Sequence, residues 1–254
     1  MKLESITPLV LTYEESPNLR ATLQGLAWAK QVIVVDSGSA DGTLEIAAEF
    51  SQVKVLQRPF DNHTSQWNHG LQLIETDWVL TLDADYVCPA ELADELVKMS
   101  PISDVYYSRF QYCVFGRQLR GSLYPPRAVL FRPKCREYIP DGHTQTLDVA
   151  DATTAFLNTV FLHDDRKPMS RWCASQVKYA ILEAEKLSMK EKPTFEWKDR
   201  IREKIVLAPL LTLFYCLFAK RLILDGWAGI FYTFQRVFAE LILSLVLLER
   251  KFKC

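Results

Sequence analysis

Over its first hundred residues the chain alternates short β-branched or apolar runs with stretches of helical periodicity, and few folds accommodate that alternation. Ile6–Thr12 is an apolar run. Residues 17–28 carry Leu19, Leu23, Leu26 and Ala27 at helical spacing. Val32-Ile33-Val34-Val35 is continuous and β-branched, as in a strand buried on both faces. Asp41-Gly42-Thr43 opens a second helix bearing Leu44, Ile46, Ala47 and Phe50. A third strand is expected at 53–56, a helix at 65–74, a fourth strand at 78–82 and a helix at 89–99. Strand and helix in strict alternation mean βαβ units, hence a parallel sheet covered by helices. Ligands of such sheets collect at the carboxyl ends of the strands. The residues at those ends are Thr12-Tyr13-Glu14-Glu15, Asp36-Ser37-Gly38-Ser39 and Asp83-Ala84-Asp85.

Composition narrows the classes further. With 254 residues, 49% apolar and 24% charged, the chain fills a core and is neither disordered, collagenous nor a disulfide scaffold. A net charge of −1 argues against a nucleic-acid partner. The average hides a gradient: residues 1–100 hold 6 basic and 15 acidic side chains, whereas residues 166–254 hold 17 and 9. An acidic front and a basic, apolar rear suggest two partners, the second an anionic membrane surface. The six cysteines form no C-x-x-C pair and are read as free thiols of a reducing compartment. Met1–Ser5 lacks the apolar run of a secretory signal, so the expected location is the cytoplasmic face of the cytoplasmic membrane, peripherally bound.

Two strings carry chemistry. Asp83 and Asp85, one residue apart at a strand end, suit a hard divalent cation that in turn binds phosphate oxygens. Asp36 ends a strand where a carboxylate accepts from a ribose or a base N–H, and Asp41 is expected to cap the following helix. The string is not G-x-G-x-x-G, which disfavours a nicotinamide cofactor.

Leu11-Thr12-Tyr13-Glu14-Glu15, then the segment from Val34 to Thr43, then Trp78-Val79-Leu80-Thr81-Leu82-Asp83-Ala84-Asp85 resemble, in order and spacing, a family 2 glycosyltransferase of the GT-A fold. Within that family the chain is most similar to the bacterial enzymes that add a β-linked glucose to the lipopolysaccharide inner core. That likeness extends to the strings beginning at Arg127, His163, Gln176 and Leu224. The resemblance implies an α/β GT-A domain, Rossmann-like with a mixed central sheet, over 1–165, with a nucleotide-sugar half at 1–100 and an acceptor half at 101–165. From its apolar runs and flanking basic residues, a helical region with membrane-associating amphipathic helices is expected at 166–254. The resemblance also implies an inverting, metal-dependent transfer from a nucleotide-diphosphate donor, a UDP-sugar, to a lipopolysaccharide-core or other lipid-linked glycan. By position, Thr12, Tyr13, Glu15 and Asp36 would hold the nucleoside, and Gln66 and Asn68 would line the donor pocket. Asp83, Asp85 and His163 would hold the ribose and a Mg²⁺ or Mn²⁺ ion. Arg166 would face charge developing on the diphosphate.

The chain departs from the subgroup in three places. Glu14 stands where Asn is usual, Tyr86 where an acid is common, and Gly142-His143-Thr144-Gln145 replaces a V-H-E string near the expected general base. Asp141 and His143 are then the candidate catalytic bases. A weak base string also fits a polyprenyl-phosphate glycosyltransferase, whose acceptor is already anionic. A non-catalytic nucleotide-sugar-binding scaffold is the rival of another class.

From 104 to 163 three strands are expected without helices between them, at 105–110, 128–131 and 155–162. Arg109, Arg117, Arg120, Arg127, Arg132 and Arg136 crowd this region with four tyrosines, either as a phosphate-binding surface or as stems lying over aromatics. Residues 205–219 are apolar but, at ~1.5 Å per residue, fall short of a ~30 Å hydrocarbon core. Pro209 would kink them if helical. Residues 230–248 read as a broad apolar helix with Arg236, Glu240 and Ser244 as one polar stripe. Helices lying in a membrane interface, a buried hairpin, a dimer seam and a true membrane span are the readings of this pattern.

Overall fold

The computed structural model describes residues 1–141, 144–189 and 197–253. Its first compact unit comprises the described residues of 1–116, 124–140 and 145–166. Here β1 (Ile6–Thr12), β2 (Val32–Asp36), β3 (Val53–Gln57) and β4 (Trp78–Asp83) alternate with α1 (Leu19–Gln24), α2 (Thr43–Ala48) and α3 (His63–Gln72). The short β5 (Tyr86–Val87) and α4 (Glu91–Lys98) follow. Neighbouring strands run β3, β2, β1, β4, all parallel. Strand order therefore reverses at β1, which sits between β2 and β4, and a crevice is expected at their carboxyl ends. The two-residue period of β2 sends Val32 and Val34 to one face with Leu19, Leu23, Leu92 and Leu96, and Ile33 and Val35 to the other with Trp67 and Leu71. Both faces are covered, as the uninterrupted β-branched run requires.

Beyond α4, β6 (Val105–Ser108) and β7 (Phe110–Val114) replace the single strand expected at 105–110, and β12 (Thr154–Phe156) and β13 (Phe161–His163) replace the one at 155–162. Arg109 and residues 157–160 break the runs at matching points. β12 and β6 pair in parallel and extend the main sheet through β9 (Arg127–Phe131), which is antiparallel to both β6 and β4. β13 and β7 continue together in a second sheet beside β5. The central sheet is thus mixed, as the resemblance implies. β10 (Tyr138–Asp141) and β11 (Thr144–Leu147) form a separate pair.

Glu95 of α4 fastens this divergence. Its carboxylate accepts from the Asn158 and Thr159 backbone N–H groups at 2.7 and 2.8 Å and from the Thr159 hydroxyl at 2.6 Å. Burial alone would raise its pKa, but these hydrogen bonds outweigh burial and hold it below the usual value. The charged form is therefore favoured in the folded state. Its stabilisation is complete above the unfolded-state pKa and is lost as pH falls through the lowered folded value. Glu95→Ala is expected to cost about 2 kcal/mol near neutral pH. Urea titrations at pH 7 and in acid measure this, and the gap between variant and parent closes in acid.

The second unit comprises the described residues of 117–123, 141–144 and 167–254. It holds β8 (Arg117–Gln118), α5 (Met169–Met189), α6 (Trp197–Glu203), α7 (Leu207–Phe214) and α8 (Trp227–Lys253). Pro209 does not kink α7. The helix begins only two residues earlier, and a first-turn residue needs no intrahelical N–H partner. A π-helical turn, Tyr215–Ala219, ends this segment. Asp225 is buried and accepts from the Arg120 backbone N–H at 2.9 Å and from its Nε at 3.1 Å. Arg202 joins Glu183 at 3.0 Å and Glu240 at 2.7 Å, tying α6 to α5 and α8.

Candidate active site

Strand register assembles the site. Thr12 lies opposite Asp36, and Leu11 opposite Asp83, so the carboxyl ends of β1, β2 and β4 form one edge. The loop after β1 is suspended from the loop after β2. Backbone N–H groups of Glu14, Glu15 and Ser16 donate to Ser39 Oγ at 2.7 Å, Thr43 Oγ1 at 2.7 Å and Asp41 Oδ2 at 3.2 Å. Asp36 stands behind this lattice, accepting from the Gly38 and Ser39 N–H groups, both at 2.9 Å, and from the Ser39 hydroxyl at 2.5 Å. Asp36 is fully buried, and its carboxylate shapes the loop, a duty that sequence reading did not assign. Gly42 rather than Asp41 is the residue preceding α2, and its φ of 88° requires glycine. Asp41 still accepts from the Thr43 N–H at 3.2 Å from one position further back. Glu14 has φ of 52°, a region in which Asn is much commoner than Glu, so its departure from the subgroup pattern falls where backbone strain is stored. Thr12 Oγ1 is buried and has no hydrogen-bond partner among the described residues.

At the end of β4 the expected acidic pair is present. Burial, and then the charge of Asp85, push the Asp83 carboxyl above its ordinary pKa, while a hydrogen bond from Tyr86 and the charges of His63 and Arg127 oppose the rise. Tyr86 and Tyr124 share a hydrogen bond, and the Arg127 guanidinium lies 5.7 Å from the Tyr124 ring centroid. His163 ends β13, with Nε2 3.3 Å from Asp85 Oδ2 and its ring against Tyr86, Tyr112 and Tyr124. His163 Nδ1 is buried without a hydrogen-bond partner among the described residues. No three His, Cys, Asp or Glu side chains converge as a metal set among the described residues, so Asp83, Asp85 and His163 do not form a closed trio. The donor set still fits Mg²⁺ or Mn²⁺, which use one or two carboxylates and take their other ligands from substrate phosphates and water. Two mutually repelling carboxylates, one of them raised in pKa, are relieved by a cation.

Beside Asp85 opens a cleft of about 170 Å³, bordered by Asn18, Cys113, Gly116, Asp164 and Arg166. This is smaller than the ~300 Å³ lower bound of drug-sized pockets, so the cleft admits part of a nucleotide sugar. Asp164 Oδ2 accepts from Arg166 Nε at 2.8 Å, and Asp164 Oδ1 from the Gly116 N–H at 3.0 Å. Asn18 was not singled out from the sequence, yet it joins both sides. It donates to Glu15 Oε2 at 2.8 Å and to Asp165 Oδ1 at 3.3 Å, and accepts from the Arg166 N–H at 2.9 Å. The available signal was an Asn immediately before α1. Its side chain makes no cap, because these bonds occupy it.

The other expected residues are placed as follows. Tyr13 is about half exposed at the same edge. Gln66 is buried, donating to Ser37 Oγ at 2.8 Å and to the Arg58 carbonyl at 3.0 Å while Oε1 accepts from Arg58. Asn68 exchanges two hydrogen bonds with the Tyr138 backbone, at 2.9 and 2.7 Å. The polar atoms of both residues therefore brace α3. Asp141 lies in the second unit, ion-paired with Lys186 at 2.5 Å. His143 lies outside the described residues. The arginines have separate partners: Arg132 lies over Trp78, Arg109 over Phe156 and Arg117 over Trp227, while Arg136 donates to the Ala150 carbonyl. Cys88, Cys113, Cys135, Cys173 and Cys216 are free thiols, and Cys254 lies outside the described residues.

Comparison with known proteins gives the following likenesses. The sequence profile described as Glycosyl transferase family 2 matches residues 9–139. An uncharacterized glycosyltransferase of Rickettsia felis is 32% identical over 95 residues, covering 37% of this chain and 33% of that protein. One from Rickettsia conorii is 34% identical over 94 residues, with the same coverages. The chain thus spans about a third of the length of the curated relatives it matches. Among solved structures, S. aureus TarS 1-349 in complex with UDP aligns with a TM-score of 0.47 at 14% identity, over 98% of this chain and 92% of that one. Glucosyl-3-phosphoglycerate synthase from Mycobacterium tuberculosis, in complex with Mn²⁺, UDP and glucosyl-3-phosphoglycerate, aligns with a TM-score of 0.49 at 15% identity, over 73% and 79%.

Proposed function

The chain belongs to glycosyl transferase family 2, and from that premise we propose that it moves a sugar, with inversion, from a UDP-sugar to a lipopolysaccharide-core or other lipid-linked glycan. The observation that carries the reading is the common edge of Thr12, Asp36 and Asp83, with the Asp85–His163 pair beside it. The edge carries Thr12 and the half-exposed Tyr13 next to a carboxylate pair suited to a diphosphate-bound cation. Asp83, Asp85 and His163 would hold Mg²⁺ or Mn²⁺, which when bound supplies positive charge for the leaving diphosphate. The acceptor oxygen forms a bond to the anomeric carbon as the bond from that carbon to the diphosphate breaks. Arg166, held by Asp164, meets negative charge as it develops. Asn18 keeps the loops carrying Glu15 and Arg166 in register, so the donor site is arranged before the reaction. In this reading Asp141 or His143 accepts the acceptor proton.

One observation favours the second reading, transfer to a polyprenyl phosphate. Asp141 is engaged by the Lys186 ammonium and must be released before it takes a proton, whereas a phosphate acceptor needs no base. Mass spectrometry of products formed from UDP-sugars and Mn²⁺ with core oligosaccharide or polyprenyl phosphate separates the two. The expected result is one hexose added to the oligosaccharide with inverted configuration. Donor binding in calorimetry without consumption against either acceptor overturns the transferase reading in favour of the scaffold.

A further inference from the structure

Helix α8 buries Ala228, Tyr232 and Leu243 beside a polar stripe and leaves its outward face apolar. The stripe it turns towards its own unit contains Gly229, Thr233, Arg236, Glu240 and Ser244. Thr233 is fully buried and donates to the Gly229 carbonyl. Glu240 meets Arg202, Ser244 donates to the Ile205 carbonyl at 2.8 Å, and Arg236 lies over the Trp172 and Tyr232 rings. The polar stripe expected from the sequence thus faces protein. The opposite stripe, Trp227, Ile230, Phe234, Phe238, Leu241 and Leu245, follows three- and four-residue spacing and is exposed, Phe234 at 62% and Leu245 at 65%. Helix α7 and the π turn, packed on α8, add exposed Leu210, Phe214 and Phe218. Large exposed apolar side chains clustered on adjoining elements mark an interaction surface.

Charge identifies what covers it. Asp225, Glu240, Glu183, Glu185 and Glu249 are each in ion pairs within the unit. Lys204 and Arg221 stand exposed beside α7 and the π turn, and Lys251 is exposed at the end of α8, where Lys253 pairs with Glu249. An apolar face rimmed by exposed cations complements lipid chains beneath anionic headgroups.

We infer that the outward face of α7, the π turn and α8 is a monotopic docking surface for an anionic bilayer, lying in the interface without crossing it. Arg236 and Glu240, fixed in protein contacts midway along α8, hold the helix flat against its own unit. This inference does not rest on the transferase reading, because its readout is vesicle binding.

Co-sedimentation of the full chain with phosphatidylcholine vesicles, with and without phosphatidylglycerol, tests it. The chain is expected to bind the anionic vesicles and to be released by alkaline carbonate. Phe234→Ser with Phe238→Ser is expected to weaken binding at least about a hundredfold. Lys204→Gln with Arg221→Gln is expected to weaken it about thirtyfold, on anionic vesicles alone. These side chains are exposed, so unchanged circular dichroism and unfolding midpoint confirm that the variants fold. Unaltered binding in both variants, resistance to carbonate, or a dimer in analytical ultracentrifugation that Phe234→Ser dissociates while vesicles bind nothing would each overturn the proposal.

Discussion

Asp85→Ala is expected to leave the fold intact and to lower sugar transfer about a thousandfold, the scale of several kcal/mol of electrostatic stabilisation at a leaving group. The fold is spared because the structural bond at this position is made by the backbone: the Asp85 carbonyl accepts from the Asp164 N–H at 3.1 Å. Removing the carboxylate also removes the like charge that raises the pKa of Asp83, so the strand end loses repulsion. What is lost is the negative charge beside His163 at the mouth of the cleft. The rate falls through the loss of metal and diphosphate binding, so higher Mn²⁺ concentration recovers part of it. Near-normal turnover with unchanged metal dependence would remove Asp85 from the proposed mechanism.

The largest effect on stability is expected at Gly229→Ala, about 3 kcal/mol, or roughly 10 °C in the unfolding midpoint. A Cβ there would lie 1.9 Å from the Leu222 carbonyl oxygen and 2.8 Å from its carbon. Both are backbone atoms, so relief requires moving α8 away from the 222–225 turn. Gly38→Ala is the control. Its φ of 93° imposes strain, but no atom lies within 4 Å of an added Cβ, and about 1 kcal/mol is expected. Differential scanning calorimetry of the two variants compares them directly, and equal losses would mean that close packing is not what selects glycine at 229.

The same position shows what a single sequence discloses. Leu224-Asp225-Gly226-Trp227-Ala228-Gly229 was visible as a string resembling a subgroup. Its physical content is tertiary: Asp225 anchors Arg120, Gly226 takes φ of 61°, and Gly229 admits a backbone. None of these has a periodicity to detect. The first four strands were legible because burial on both faces leaves an unbroken β-branched run, as in Val32–Asp36. The breaks after Ser108 and Phe156 were not, since apolar residues resume within a few positions of each. Only Ser108 Oγ, which bonds the Arg109 and Thr159 carbonyls, and the Glu95 clamp show why one run feeds two sheets.

At the site, residue types were legible and their duties were less so. Asp83 and Asp85 stand at a strand end, as alternation and chain order require. Asp36, Gln66 and Asn68 stand at the expected positions as well, but their polar atoms are committed to Ser39, Ser37 and Tyr138. Spacing cannot distinguish a side chain that touches a ligand from one that shapes the loop touching it. Asn18 is the converse, an ordinary residue in sequence that becomes the join between the segments following β1 and β13.

Anomalous diffraction from a crystal of the full chain grown with Mn²⁺ and a UDP-sugar tests the central claim most directly. The account predicts one manganese peak in contact with the Asp85 carboxylate and with diphosphate oxygens, and the uracil ring against Thr12 and Tyr13. A bound nucleotide whose diphosphate lies away from the turn after β4, or a manganese ion held elsewhere in the chain, would contradict it.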